Sequence, residues 1–514
     1  MSKQRRRLLL ASAATLALLA PLAWFWWSSL LPGSYSVMDM GYTDYGGGPV
    51  PAGTATDDDA SSHGSAHGTS HMPGHGSTSV ADLRTTARGP ADVSVDLVAD
   101  QGTVTLPSGR EIDGYTLNGS SPGPRIDARE GDLVEVTLRN GSVPEGITLH
   151  WHGIDVPNAE DGVAGVTQDA VREGEEYTYR FVADQVGTYW YHSHQVSHEQ
   201  VRGGLFAPLV VLPKGGIPQD REVLAVTHTY QGIRTLNGEE DAVRFPAPAG
   251  ETVRVRLVNT DNALVPVWAD LPYRVVAVDG YDLNEPGPVT GQAVVLTAGG
   301  RIDLEIEVPD HAAARVQVGG ATAAVVGPED AEEPASPPQP DENLDLLTYG
   351  EPAPLPTLGG QTNLTFDPTT AERHFKYEIG RRPGFLDGRP GLWWTVNGHL
   401  FPDIPMYTVE EGDVAVFRIE NNSGESHPMH LHGHHAVVIS RDGVPATGSP
   451  WWIDSLEVDH GEEFEIAFLA DNPGIWMDHC HNLPHAVEGL VAHLMYAGVD
   501  TPFRIGDDAA NHPE

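Results

Sequence analysis

The chain predicts an all-β protein of three consecutive β-sandwiches, and a threefold repeat is the main reason. An Asn-Gly turn, a short strand, a glycine turn and an alternating strand ending in Asn begin at Tyr115, at Thr235 and again at Thr395. The strands, V-E-V-T-L and V-R-V-R-L among them, alternate apolar and polar residues with the two-residue period of a half-buried strand. A repeat of this kind has to be established before any fold is assigned, and 514 residues suit about three domains of ordinary size.

The N-terminal 31 residues stand apart from that pattern. Lys3, Arg5, Arg6 and Arg7 precede 24 uncharged residues, Leu8 to Leu31, enough for a helix of about 36 Å. Trp24, Phe25, Trp26 and Trp27 lie near its far end, where an aromatic belt would sit, so the basic cluster is expected in the cytoplasm and the remainder outside. Q-R-R-R-L-L-L resembles a twin-arginine export signal, but no small-x-small cleavage site comes after it. Residues 1–31 are therefore expected to be a membrane anchor or export signal, with the anchor favoured. Residues 32–90, rich in Gly, Ser, Thr, Asp and His, read as a flexible tether. Within it His63, His67, His71, Met72 and His75 form a tract able to collect copper, or a soluble linker with incidental histidines.

The three sandwiches are expected over residues 91–213, 214–327 and 373–505, with an acidic, proline-rich linker over 328–372. Their roles separate in the stretch just past each repeat. I-T-L-H-W-H-G comes after the first and H-P-M-H-L-H-G after the third, whereas L-V-P-V-W-A after the second has no histidine. The middle sandwich is expected to bind no metal. Thirty Lys and Arg against 72 Asp and Glu give a net charge of -42, which makes nucleic acid and anionic membrane surfaces poor partners and cations suitable ones. The single cysteine excludes an internal disulfide framework.

That cysteine lies in H-C-H-N-L-P-H-A-V-E-G-L, from His479 to Leu490. On a strand His479 and His481 face one way and Cys480 the other. Beyond the turn at Pro484, His485 can return to the cysteine side and complete a His/Cys set of the kind that holds blue copper. His427, three residues before His430, points toward the same side. The pairs His150/His152, His192/His194, His430/His432 and His479/His481 place eight imidazoles on four strands of two domains, a multinuclear cluster at an interface. A single catalytic zinc needs about three ligands.

Over residues 91 to 505 these motifs resemble the three-domain multicopper oxidases, the laccase and metallo-oxidase family of bacterial type, with cupredoxin-like Greek-key domains. The resemblance implies four copper ions. Type 1 copper would be held by His427, Cys480 and His485, and type 2 by His150 and His430. One type 3 copper would take His152, His192 and His481, the other His194, His432 and His479. Leu490, ten residues past the cysteine, falls at the axial position, where it cannot coordinate. D-N-P-G-I-W from Asp471 to Trp476 is also similar to the family, as is D-G-V-A-G-V-T-Q, whose Asp161 would assist protonation at the cluster.

The implied reaction is four one-electron oxidations of a phenol, or of Cu(I), Fe(II) or Mn(II), coupled through Cys480, His479 and His481 to reduction of O2 to two waters. Some members carry an acid where this chain has Leu483. His198, His434 and His435 stay unassigned. A copper nitrite reductase needs neither the four His-x-His pairs nor imidazoles on both sides of its cysteine, and a non-catalytic periplasmic copper-binding or resistance protein needs no trinuclear set. A monomer outside the cytoplasm is expected.

Overall fold

The computed structural model describes residues 3–50, 77–216, 222–355 and 366–514. Six sheets stack in pairs to make three cupredoxin-like sandwiches. The first pairs two four-stranded sheets, and the second a six-stranded with a five-stranded sheet. The third pairs six strands, ordered Tyr42–Asp44, Pro405–Val409, Val491–Tyr496, Ile475–Cys480, His427–Leu431 and Ser455–Val458, with a seven-stranded sheet.

The repeat has a physical meaning in each sandwich. Asn118, Asn237 and Asn397 all have φ of 53°, a conformation that Asn tolerates better than most residues. Their side chains accept from the backbone N–H groups of Val98, Val226 and Glu378 and donate to the carbonyls of Asp96, Leu224 and Lys376. The closing residues Asn140, Asn259 and Asn421 are fully buried, and each donates to loop carbonyls while accepting a loop N–H. Each repeat thus pins a hairpin at one end and a crossing loop at the other.

Lys3–Ser28 is one apolar helix, exposed along its length, with Pro21 inside it. The flexible tether expected over 32–90 needs correcting over its described residues, 32–50 and 77–90. Tyr42–Asp44 adds a parallel edge strand to Pro405–Val409, Thr78–Ser79 pairs with Val499–Asp500, and Val37, Met40 and Val80 enter the third core. Arg373, fully buried, donates to the carbonyls of Tyr45 and Pro49. Single strands and isolated apolar pegs donated to another domain leave no periodicity in their own sequence. The His63–His75 tract lies outside the described residues.

The segment after the middle sandwich is not free of the core either. Pro337 O accepts from Trp268 Nε1, and Leu347 is buried in the third core. Beyond residue 505, where the third sandwich was expected to end, the chain turns onto the first. Ala170 N donates to Asn511 Oδ1, and Val196 N to His512 O at 2.6 Å.

Candidate metal centre

His150–His152 is a three-residue strand paired with Gly187–His192, so His150 stands opposite His192. In the third sandwich His427–Leu431 pairs with Ile475–Cys480, which sets His430 opposite His479. The two sandwiches face each other along these strands. Three sets of donor atoms, each within 4.8 Å of one another, result: His152/His192/His481, His194/His432/His479 and His427/Cys480/His485. His150 groups with His152 and His430, and its Nε2 lies 3.4 Å from His430 Nε2.

The outward nitrogens are anchored to the protein. His192 Nδ1 lies 3.0 Å from Ser193 O, His194 Nδ1 3.0 Å from Pro513 O, and His430 Nδ1 2.8 Å from Asp454 O. Inward, His192 Nε2, His194 Nε2, His152 Nδ1 and both nitrogens of His481 have no partner. His432 Nε2 faces His479 Nε2 at 3.2 Å. Burial, reinforced by neighbouring imidazoles, holds His152, His192, His194, His432, His479 and His481 well below the usual histidine range. Neutral imidazole lone pairs converging in a buried interior fit cations between them. Soft, borderline nitrogen donors with one thiol suit copper.

Carboxylates orient the rings from behind. Asp161, buried, places Oδ1 3.1 Å from both His150 Nδ1 and His432 Nδ1, and burial raises its carboxyl pKa despite the His150 contact. Asp454 does the same on the other side, with Oδ1 3.2 Å from His152 Nε2 and 3.5 Å from His430 Nδ1. Burial pushes Asp454 up, but the Arg301 guanidinium and three histidines outweigh it and hold it well below the usual carboxylate range. Glu514 Oε1 lies 3.4 Å from His479 Nδ1, and Ser197 Oγ donates to its Oε2.

Several of these partners have no sequence signal. Asp454 sits in W-W-I-D-S with no periodic context. The middle sandwich contributes Arg301, whose guanidinium donates to both oxygens of Asp454 at 2.6 and 2.5 Å and whose Nε donates to Thr188 O of the first sandwich. Beside it, Gly299 at φ +79° presses against the cluster, and a Cβ there would meet His152 Cε1 at 2.8 Å and His481 Cγ at 2.9 Å. Of the unassigned histidines, His434 Nε2 lies 2.7 Å from Tyr496 OH. Burial disfavours charge on His435, but Asp155 and Asp454 outweigh it and push its pKa up to about 10.

The cysteine site belongs to the third sandwich alone. Cys480 Sγ lies 3.6 Å from His427 Nδ1 and 3.8 Å from His485 Nδ1, and burial pushes the thiol well above its ordinary range. His485 is carried by a short helix, Leu483–Val487, whose last backbone bonds bring Leu490 N to His485 O. Leu490 is fully buried in the same core as Cys480. Leu483 packs among Trp190, Phe206 and Val226 where the sandwiches meet. Trp394 closes the site from above, its ring 4.7 Å from His427 and 4.5 Å from His485, with the Arg381 guanidinium 4.1 Å over it. His485 Nε2 faces outward, 3.7 Å from Glu425.

Sandwiches of cupredoxin type holding a four-site histidine and cysteine constellation define a copper-dependent oxidoreductase that uses O2 as acceptor. Two family models described as multicopper oxidase match residues 99–216 and 366–498. The chain belongs to the multicopper oxidase family, laccase-like and three-domain, and as such holds four copper ions. It is 25% identical to multicopper oxidase MmcO of Mycobacterium tuberculosis, over 74% of this chain and 82% of that protein. It is 26% identical to Laccase-1 of Melanocarpus albomyces, over 76% of each. Among solved structures, a multi-copper oxidase from Pseudomonas thermotolerans superposes with a TM-score of 0.63 at 28% identity, covering 79% of this chain and 99% of that one.

Proposed function

We propose that His427, Cys480 and His485 hold the type 1 copper and His150 and His430 the type 2 copper, with His152, His192 and His481 on one type 3 ion and His194, His432 and His479 on the other. The observation that carries this reading is the convergence of buried imidazole nitrogens that have no protein partner. When bound, the coppers supply the one-electron steps that bring four reducing equivalents to O2. Cys480, joined through the backbone to His479 and His481, is the covalent path between the two sites. Asp161 accepts from His150 Nδ1 at its backbone carbonyl and from His432 Nδ1 at its Oδ1, turning both Nε2 atoms inward, and its raised carboxyl can hold a proton beside the cluster.

The reductant meets the outward edge of His485 beside Glu425. Arg381 pairs with Glu425 at 2.6 Å, so it is the net charge of -42 on the whole chain that favours a cation such as Cu(I), Fe(II) or Mn(II) over a phenol. Steady-state rates on Cu(I), Fe(II) and a phenol with copper-loaded protein decide it, and a phenol rate exceeding both metal rates would overturn the preference. The helix Lys3–Ser28 anchors the protein with the sandwiches outside the cytoplasm. Full-length protein should sediment with membranes, and a soluble form starting near residue 24 to 35 would overturn the anchor.

A further inference from the structure

The strong negative charge argues against a membrane surface as partner for the body as a whole, yet one element departs from it. Arg373–Leu386 pairs with Val414–Asn421 only as far as Ile379, and from Gly380 onward its one strand partner is Arg389–Val396. The outer half is therefore a two-stranded ribbon projecting roughly 20 Å past the sheet. Arg381, Arg382 and Arg389 stand there against a single acid, Asp387. Leu392 is 49% exposed, with Arg382 and Arg389 exposed as well. An isolated ribbon of this kind is marginal in water.

The tip of the ribbon touches the apolar helix where its aromatic residues end. Leu31 N donates to Asp387 Oδ1 at 3.2 Å, and Gly388 N to Ser29 Oγ at 3.1 Å. A Cβ on Gly388 would meet Trp26 and Leu30 at 2.9 Å. Trp24, Phe25, Trp26 and Trp27 mark the water–lipid boundary of a spanning helix, so the tip lies at that depth. We propose that the ribbon of residues 380–396 seats its tip in the headgroup layer of an anionic bilayer, with Arg389 on lipid phosphates and Arg382, on the same face of the ribbon, reaching toward them. Its projection keeps the acidic body more than a Debye length, about 8 Å, from the lipid charge. The ribbon's base carries Arg381 and Trp394, so seating its tip holds the type 1 site at a fixed height above the membrane.

The inference rests on the anchor proposed above, and one experiment separates the two. Full-length, copper-loaded Leu392→Cys protein, labelled with a fluorophore, is reconstituted into phosphatidylcholine vesicles with and without phosphatidylglycerol, all containing a lipid-borne quencher. Val444→Cys, exposed at the opposite edge of the same sheet, is the reference. The label at 392 should be quenched several-fold more than that at 444, and more strongly with phosphatidylglycerol. Arg382→Glu with Arg389→Glu should remove that difference while the protein still floats with the vesicles and keeps its blue absorption. Equal quenching at 392 and 444 in floating protein overturns the seated ribbon alone. Protein that does not float overturns the anchor and this inference with it.

Discussion

The two donor sets of the molecule are held by different means. The eight-imidazole cluster is wholly buried and spans two sandwiches, and its rings are set by residues from elsewhere: Asp161, Asp454, Arg301 of the middle sandwich and the backbone of Pro513. The His427/Cys480/His485 set lies within one sandwich, on one strand pair and a five-residue helix, and leaves the His485 edge partly open. The cluster should therefore respond to damage at the domain interfaces and the cysteine site should not.

The largest effects break one set and spare the other. Cys480→Ser should abolish both the intense blue absorption and oxidase activity while the cluster coppers remain on metal analysis. His150→Ala or His432→Ala should keep the blue band and stop oxygen uptake in an oxygen electrode. Blue absorption surviving in the serine variant, or unchanged oxygen uptake in both alanine variants, would undo the division.

Arg301→Ala comes next, because it leaves Asp454 buried without its cation. Breaking such a pair costs roughly 3–5 kcal/mol. Denaturant unfolding should register the loss, together with reduced cluster copper and a retained blue band. A blue band lost in parallel with cluster copper would mean that the two sets are not independent.

Glu457 offers a smaller, pH-dependent effect. It lines a cavity of 320 Å³ between the second and third sandwiches, accepts from Thr297 Oγ1 at 2.6 Å, and burial pushes its carboxyl up to about 7. A raised acid stabilises the fold below its unfolded pKa of about 4.5, and that contribution is lost as pH rises through about 7. Its size is up to about 3 kcal/mol. Glu457→Gln should flatten the Tm profile between pH 4.5 and 7 and raise Tm at pH 8. A profile identical to that of the parent would refute the assignment.

The smallest change is Leu490→Met. The swap roughly conserves volume and adds a weak thioether donor, so the type 1 potential should fall with little change in fold. Redox titration of the blue band checks it, and an unchanged or raised potential would show that Leu490 is not axial.

The sequence showed the imidazoles and the cysteine because a metal site demands particular donors at the strand period, and few other pressures write H-x-H four times. Asp454 and Arg301 were hidden because a buried ion pair between domains needs only one residue from each, with no spacing to read. The lack of histidine in the middle sandwich drew attention away from Gly299 and Arg301, which act by shape and charge. The strands of 32–90 were hidden for a related reason, since an edge strand lent to another domain has only its host's pattern to match.

That loan bears on how the molecule can be made. Ser34 hydrogen-bonds Arg504 across 470 residues of chain, while Pro513 reaches back 319 residues to His194. A ribosome delivers the edge strand long before the sheet it completes, and delivers the segment over His194 and His479 only after the third sandwich. Domain-by-domain folding during synthesis, the usual order for such proteins, leaves the first sandwich without the segment over His194 until the third has emerged. Residues 511–514 therefore close over His194 and His479 only once all three sandwiches have been made.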